Sequence, residues 1–235
     1  VLDRTVFYAE SGGQVGDTGF LTKGSAKIEI TDCRKAGNHH IHIGRVLSGE
    51  FSVGDSVDGV VDHGVRQATA LNHSATHLLH EALRQVLGNH VEQKGSLVDS
   101  QRLRFDFSHE EAVSNEQVRR IEHLVNQEIF KNTSVSTQVM SMDDAKAMGA
   151  VALFGEKYGD EVRVVSIGGD YSVELCGGTH VSRSDDIGAI GISAESSVAS
   201  GIRRIEGVTG MKAVSFCDDQ KDAITEVLRI LSSGR

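Results

Sequence analysis

Proline is absent from all 235 residues. Average usage of about 5% would supply roughly a dozen, so the absence reads as deliberate removal or a restricted alphabet. It also excludes the zinc deaminase pattern, which needs a Pro-Cys-x-x-Cys element as well as a glutamate two residues after its histidine. Cysteine is scarce. Cys33, Cys176 and Cys217 are an odd set at wide spacing, which argues against a disulfide framework and for a reducing compartment, so a cytoplasmic location is expected. No run approaches 18 consecutive apolar residues, so no membrane span is expected. Val1-Leu2-Asp3-Arg4 has neither the basic start nor the apolar run of a signal peptide. The first residue is not methionine, and the chain reads as a fragment of a longer protein. Excess positive charge is also lacking. Against 33 Asp and Glu stand 24 Lys and Arg, a net charge of -9. The overall field therefore does not attract nucleic acid, and any RNA contact must be local or supplied by other parts of a larger protein.

What remains is an ordinary soluble composition, 39% apolar and 24% charged, and long enough for a real core. Residues 1–63 read as short strands and turns punctuated by Gly12, Gly13, Gly16 and Gly19. Lys27-Ile28-Glu29-Ile30 and Ile41-His42-Ile43 alternate at period two, and 53–57 fits a strand-turn-strand corner. The segment resembles a small β-barrel. The period then becomes helical over 66–87, where Leu71, Ala75, Leu78, Ala82 and Val86 form one stripe and Gly88 is the stop. A strand is expected over 103–107. A second helix opens with Ser114 as N-cap and Gln117 at N3, carrying Val118, Ile121, Leu124, Val125 and Ile129. A short helix starts at Asp143. Strands over 162–167 and 171–175 pair across Gly168-Gly169-Asp170. Further strands fit 189–192 and 202–208, and a terminal helix spans about 218–231. The order implies an α+β fold: a β-barrel-like domain over 1–63, a larger α+β core with a mixed or antiparallel sheet over 64–213, and a C-terminal helical segment over 214–235.

Two short motifs carry metal-binding chemistry. In His73-Ser74-Ala75-Thr76-His77 the imidazoles are four apart on a helix, so both reach one point. They lie nearly opposite the apolar stripe, so core packing does not account for them; the competing reading is a solvated polar face that includes His80 and Arg84. In Cys176-Gly177-Gly178-Thr179-His180 a thiol and an imidazole flank a glycine turn that lets them converge. The plainer reading is a buried free cysteine beside a surface histidine. Together the motifs offer three nitrogens and one sulfur, a set that suits zinc over magnesium or calcium. A four-ligand set ordinarily marks a structural site, while hydrolysis needs an open position, and both roles stay open here. No glutamate follows His73, so the zincin peptidase pattern fails.

At these residues a resemblance becomes specific. Leu71-Asn72-His73-Ser74-Ala75-Thr76-His77-Leu78-Leu79-His80 and Glu174-Leu175-Cys176-Gly177-Gly178-Thr179-His180 resemble the editing-domain motifs of the alanyl-tRNA synthetase family. Phe7-Tyr8-Ala9-Glu10-Ser11-Gly12-Gly13-Gln14-Val15-Gly16-Asp17 resembles the start of that domain, and Gly201-Ile202-Arg203-Arg204-Ile205-Glu206-Gly207-Val208-Thr209-Gly210 its end. Free-standing trans-editing relatives share the metal motifs but more often carry proline and an extra glycine where Ala9-Glu10-Ser11 stand, which favours a bacterial-type synthetase fragment. Val6 and Ser134 stand where the family usually has proline.

The resemblance implies that His73, His77, Cys176 and His180 bind Zn2+. It implies that Gln93 is the editing-pocket glutamine, against the alternative of an exposed loop residue. Ser96 and Thr179 are further pocket candidates. Arg203 and Arg204 are candidate RNA-phosphate contacts, although strand alternation lets only one face a given side. The implied reaction is hydrolysis of serine or glycine from the acceptor end of tRNA(Ala), with no aminoacylation by this chain. The implied partners are that tRNA and the aminoacylation and C-terminal domains of a parent synthetase. The rival readings are a free-standing trans-editing protein and a tRNA-binding module with a structural zinc.

Overall fold

The computed structural model describes residues 1–152 and 159–233. Among the described residues, three antiparallel sheets and four α-helices make an α+β fold. The first sheet contains β1 (Gly19–Lys23), β2 (Ala26–Ala36), β3 (His39–Ser48) and β4 (Asp58–Val61), in the order β3-β2-β1-β4. Gly24, at φ 59°, makes the tight β1–β2 turn. Phe7 and Ala9, from the segment before β1, pack with Leu21, Ile30 and Cys33 as a small core. The expected barrel is instead an open sheet, with β3 and β4 as its edges. The reason is physical: the N-terminal segment already covers the apolar face, β4 has only four residues, and the outer half of β3 is exposed.

α1 (His63–Leu87) begins three residues before the apolar period does. Asp62 caps it, accepting from the Val65 N–H at 3.0 Å, and Gly88 at φ 119° ends it. Its position is central. Ala75, Leu78, Leu79, Ala82 and Leu83 face the main core, while Asn72, His73, Thr76, His77 and His80 are buried too. The side opposite the stripe is therefore no solvated polar face; a second layer of chain covers it.

That layer is the sheet of β7 (Ser136–Ser141), β8 (Glu161–Ile167) and β9 (Ser172–Leu175), with the short α3 (Met142–Ala147) beside it. α3 starts at Met142 because Ser141 caps it, accepting from the Asp144 N–H at 3.1 Å. β8 and β9 pair across 168–170 as their glycine turn implies.

The other layer is the sheet β10-β11-β6-β5, made of β5 (Gln93–Val98), β6 (Leu103–Ser108), β10 (Ile190–Ala199) and β11 (Ile202–Thr209). α2 (Asn115–Phe130) packs Ile121, Val125 and Ile129 against Phe105, Phe107 and Ile205. Its capping box is complete: Ser114 Oγ accepts from Gln117 N–H at 3.2 Å, and Gln117 Oε1 accepts from Ser114 N–H at 2.9 Å. α4 (Met211–Ser233) starts seven residues before the helical pattern at 218, buries Ala213, and is otherwise largely exposed. Among the described residues no helix is long and apolar enough to cross a membrane.

Candidate metal centre

α1 places His73 and His77 one turn apart, their rings stacked with centroids 5.2 Å apart. β9 ends at Leu175, and the Gly177-Gly178 turn folds the chain back so that His180 returns to Cys176. The ligating atoms of His73, His77, Cys176 and His180 all lie within 4.8 Å of one another. Cys176 Sγ is 3.4 Å from His73 Nε2 and 3.3 Å from His180 Nε2. His77 Nε2 is buried and has no hydrogen-bond partner among the described residues.

Each outward ring nitrogen is held. His73 Nδ1–H donates to Gln14 Oε1 at 2.7 Å, and His77 Nδ1–H donates to Glu174 Oε2 at 2.8 Å. His180 Nδ1 is 3.1 Å from Ser74 Oγ. Anchored Nδ1 atoms leave the Nε2 lone pairs aimed at a common point with the sulfur, which is how proteins orient imidazole ligands. These four residues could hold one metal ion.

In the metal-free cluster the electrostatics favour a thiolate and a protonated His77, whose Nε2 proton a bound metal would displace. Burial opposes a charge on Cys176, but His73 and His77 beside it, with hydrogen bonds from His180 and His73, hold its thiol well below the ordinary value. The thiolate is the form that binds metals. Burial lowers His77, yet the charges of Glu174 and Cys176 outweigh it and raise that imidazole to about 10. Burial, then His73, keep His180 neutral, at about 3. Burial would raise Glu174, but His77 and His80 hold it below the ordinary carboxylate range.

The turn itself is pinned. Arg163 Nη1 donates to the Cys176 carbonyl at 2.8 Å and to the Gly178 carbonyl at 2.9 Å. Gln14, 1% exposed, also accepts from the Thr179 N–H at 2.8 Å and donates to Thr179 Oγ1 at 2.9 Å. A Cβ on Gly178 would overlap Cε1 and Nδ1 of the His73 ring. Gly178→Ala is therefore expected to displace His73 and weaken metal binding by about tenfold or more. A competitive chelator titration that finds parent affinity in Gly178→Ala contradicts this geometry.

The other candidates are spread out. Gln93 is the first residue of β5, and it lines a cavity of about 280 Å3 with His80, Arg84, Val91 and Glu92. His80 is buried there, with Nδ1–H donating to Glu174 Oε1 at 3.1 Å and Nε2 without a partner among the described residues. Glu174 thus bridges the cluster and this cavity. A different cavity, of about 260 Å3, opens on His73 and Cys176 themselves. Ser96 lines neither; it packs on Gly13, where a Cβ would meet the Ser96 carbonyl at 2.6 Å. Thr179 sits beside the cluster, held by Gln14. Arg203 and Arg204 are engaged with carboxylates, Arg203 Nε with Glu195 at 2.7 Å and Arg204 with both oxygens of Asp106 at 2.6 and 2.8 Å.

Sequence reasoning missed Gln14, Ser74, Arg163 and Glu174. Glu174 left one signal: an acidic residue two before Cys176 shares its strand face.

Comparison with known proteins gives two family matches. The model described as tRNA synthetases class II (A) matches residues 1–65, and that of the threonyl and alanyl tRNA synthetase second additional domain matches residues 162–206. The chain is 60% identical over 234 residues to an alanine–tRNA ligase of Saccharophagus degradans. It is 57% identical over 235 residues to that of Pseudomonas entomophila, and 56% to that of Pseudomonas fluorescens. Each alignment takes in 100% of this chain and 27% of the relative, so the chain spans about a quarter of their length.

Proposed function

The chain belongs to the alanyl-tRNA synthetase family, and from that membership we propose that it hydrolyses the ester joining serine or glycine to the terminal adenosine of tRNA(Ala). The observation that carries the reading is the convergence of three imidazole nitrogens and one cysteine sulfur within 4.8 Å. Imidazoles with a thiolate form a set that suits zinc, and the buried, partnerless His77 Nε2 is the orphan such an ion would satisfy. His73, His77, Cys176 and His180 would hold it. Bound zinc supplies Lewis acidity beside the ester oxygens.

The protein's own residues supply the rest. Gln14, Glu174 and Ser74 fix the ligand rings, and Arg163 fixes the turn that carries Cys176. Gln93 and His80 offer polar atoms to the serine hydroxyl. Alanine's methyl would leave those atoms unpaired, a penalty of about 1–3 kcal/mol that discriminates against the correct product. Such a second site has a purpose, because a pocket built for alanine cannot exclude smaller glycine and separates serine imperfectly. Thr179 and Ser96 support the turn and the β5 edge. In this reading residues 1–63 dock the acceptor end, 64–213 carry the hydrolytic site and 214–235 lead toward other domains of the parent synthetase. The reaction belongs with translation in the cytoplasm.

The test is a deacylation assay with Ser-, Gly- and Ala-tRNA(Ala). The expected result is hydrolysis of the first two, with Ala-tRNA(Ala) slower than Ser-tRNA(Ala) by roughly tenfold or more. Gln93→Ala should lower the serine-over-alanine preference and leave the zinc content unchanged. The four-ligand set also favours a second reading, a tRNA-binding module with structural zinc. Binding of the tRNA without turnover of any of the three esters would select that reading.

A further inference from the structure

We infer that the outer face of α2 is a docking surface for the backbone of RNA. Arg119 and Arg120 take its phosphates, and Phe130 meets an unstacked base. The inference rests on the reading above only in that RNA is the partner.

α2 separates its charges by face. Glu122 Oε2 accepts from the Ile192 N–H at 2.7 Å, and the buried Glu128 holds Lys131 at 2.6 Å. These two carboxylates are therefore engaged. The bases Arg119, Arg120 and His123 are exposed. Within α2 only Glu116, in the first turn, is an exposed carboxylate, and it forms no ion pair with either arginine.

The chain has 33 Asp and Glu against 24 Lys and Arg, so a surface arginine has many acids to meet. Arg34, Arg66, Arg203 and Arg204 each hold a carboxylate. Among the described residues Arg119 and Arg120 hold none. An acidic chain that binds RNA must do so through such a local excess of positive charge, because its overall field is repulsive. Arg203 and Arg204 are already committed to acids, and the pair on α2 is not.

The geometry favours a strand over a single anion. A guanidinium fork matches a phosphate with two parallel hydrogen bonds. Neighbouring residues on a helix diverge by about 100° around its axis, so Arg119 and Arg120 reach two separate phosphates. Phe130 lies 11 residues beyond Arg119, about 16 Å along the helix and nearly in line with it. Its ring is 73% exposed. An aromatic ring on a basic stripe offers a base a stacking surface, which an acidic peptide would leave unused.

The experiment uses the full zinc-loaded chain and two probes, uncharged tRNA(Ala) and poly-glutamate, titrated by fluorescence anisotropy at several salt concentrations. The double variant Arg119→Ala/Arg120→Ala is expected to bind the tRNA roughly tenfold more weakly, with a logarithmic salt slope smaller by about 1.5, two phosphates' worth. Arg119→Lys/Arg120→Lys keeps the charges and should keep most of the slope. Phe130→Ala should weaken binding at every salt concentration and leave the slope unchanged. All three side chains are exposed, so circular dichroism should match the parent throughout. In the deacylation assay the arginine double variant should raise KM for Ser-tRNA(Ala), with kcat and zinc content at parent values. Parent affinity for the tRNA in that variant would overturn the proposal, and so would weaker binding with an unchanged salt slope. Poly-glutamate bound by the parent as tightly as the tRNA would overturn it too, in favour of an acidic peptide. The expected binding shifts in a chain that hydrolyses no ester would support the surface and count against the hydrolytic reading. Hydrolysis at the parent KM in the double variant would do the reverse.

Discussion

Cys176→Ala is expected to lose its zinc and to hydrolyse Ser-tRNA(Ala) more slowly by over about a hundredfold, since even outer partners of metal ligands are worth 10–100-fold. Sγ is the only sulfur in the cluster and the charge that the three imidazoles surround. Its removal leaves His73 and His180 without their shared neighbour at 3.4 and 3.3 Å. The fold should survive, because Leu78, Leu79, Ala82 and Leu83 keep α1 in the main core whatever happens at the histidines. Circular dichroism should therefore match the parent while bound zinc and rate both fall. A folded, zinc-free variant that deacylates at the parent rate would falsify the metal's part in the reaction.

Glu174→Gln is the second large effect. This carboxylate, 4% exposed, accepts from His77 Nδ1–H at 2.8 Å, from His80 Nδ1–H at 3.1 Å and from the Ser172 hydroxyl at 3.2 Å. A neutral amide offers one acceptor and turns N–H donors toward another donor. Removing one partner of a buried pair costs about 3–5 kcal/mol, and zinc affinity should fall by about 10–100-fold. The pH dependence of the metal-free protein has a definite sign. Glu174 is depressed from its ordinary 4.5, so its stabilisation is present above that value and is lost as pH falls. His77 is raised from 6.5 to about 10, so its stabilisation is complete below 6.5 and is lost as pH rises toward 10. The stability gap between parent and Glu174→Gln should thus be widest between 4.5 and 6.5 and narrow on both sides. Urea denaturation of chelator-treated proteins across pH measures it. A gap independent of pH would show that Glu174 does not bear charge against His77.

Local patterns carried well into the structure. The i, i+4 spacing of His73 and His77, and the glycine turn between Cys176 and His180, paired residues that the fold does bring together. The Ser114–Gln117 box and the 168–170 turn fixed an element start and a hairpin. What stayed hidden is what distant chain supplies. Gln14, Glu174 and Ser74 reach their imidazoles across 59, 97 and 106 residues, and no period encodes such a meeting. The helical wheel placed the histidines opposite the apolar stripe correctly, but a wheel does not reveal a second layer, so their burial was not legible. Alternation in β2 and β3 marked strands without saying whether their sheet closes. β5 escaped because Gln93, Lys94, Gly95 and Ser96 are polar or small; its pairing to β6 is set by the sheet, with a register shift between Gln93 and Gly95.

The most direct measurement of the central claim is zinc add-back. Protein stripped by chelator is assayed on Ser-tRNA(Ala) while zinc is titrated in. The rate should start near background, rise linearly, and saturate at one equivalent per chain. A stripped protein that deacylates at the full rate, or a rate that stays at background after one zinc is bound, would contradict the account.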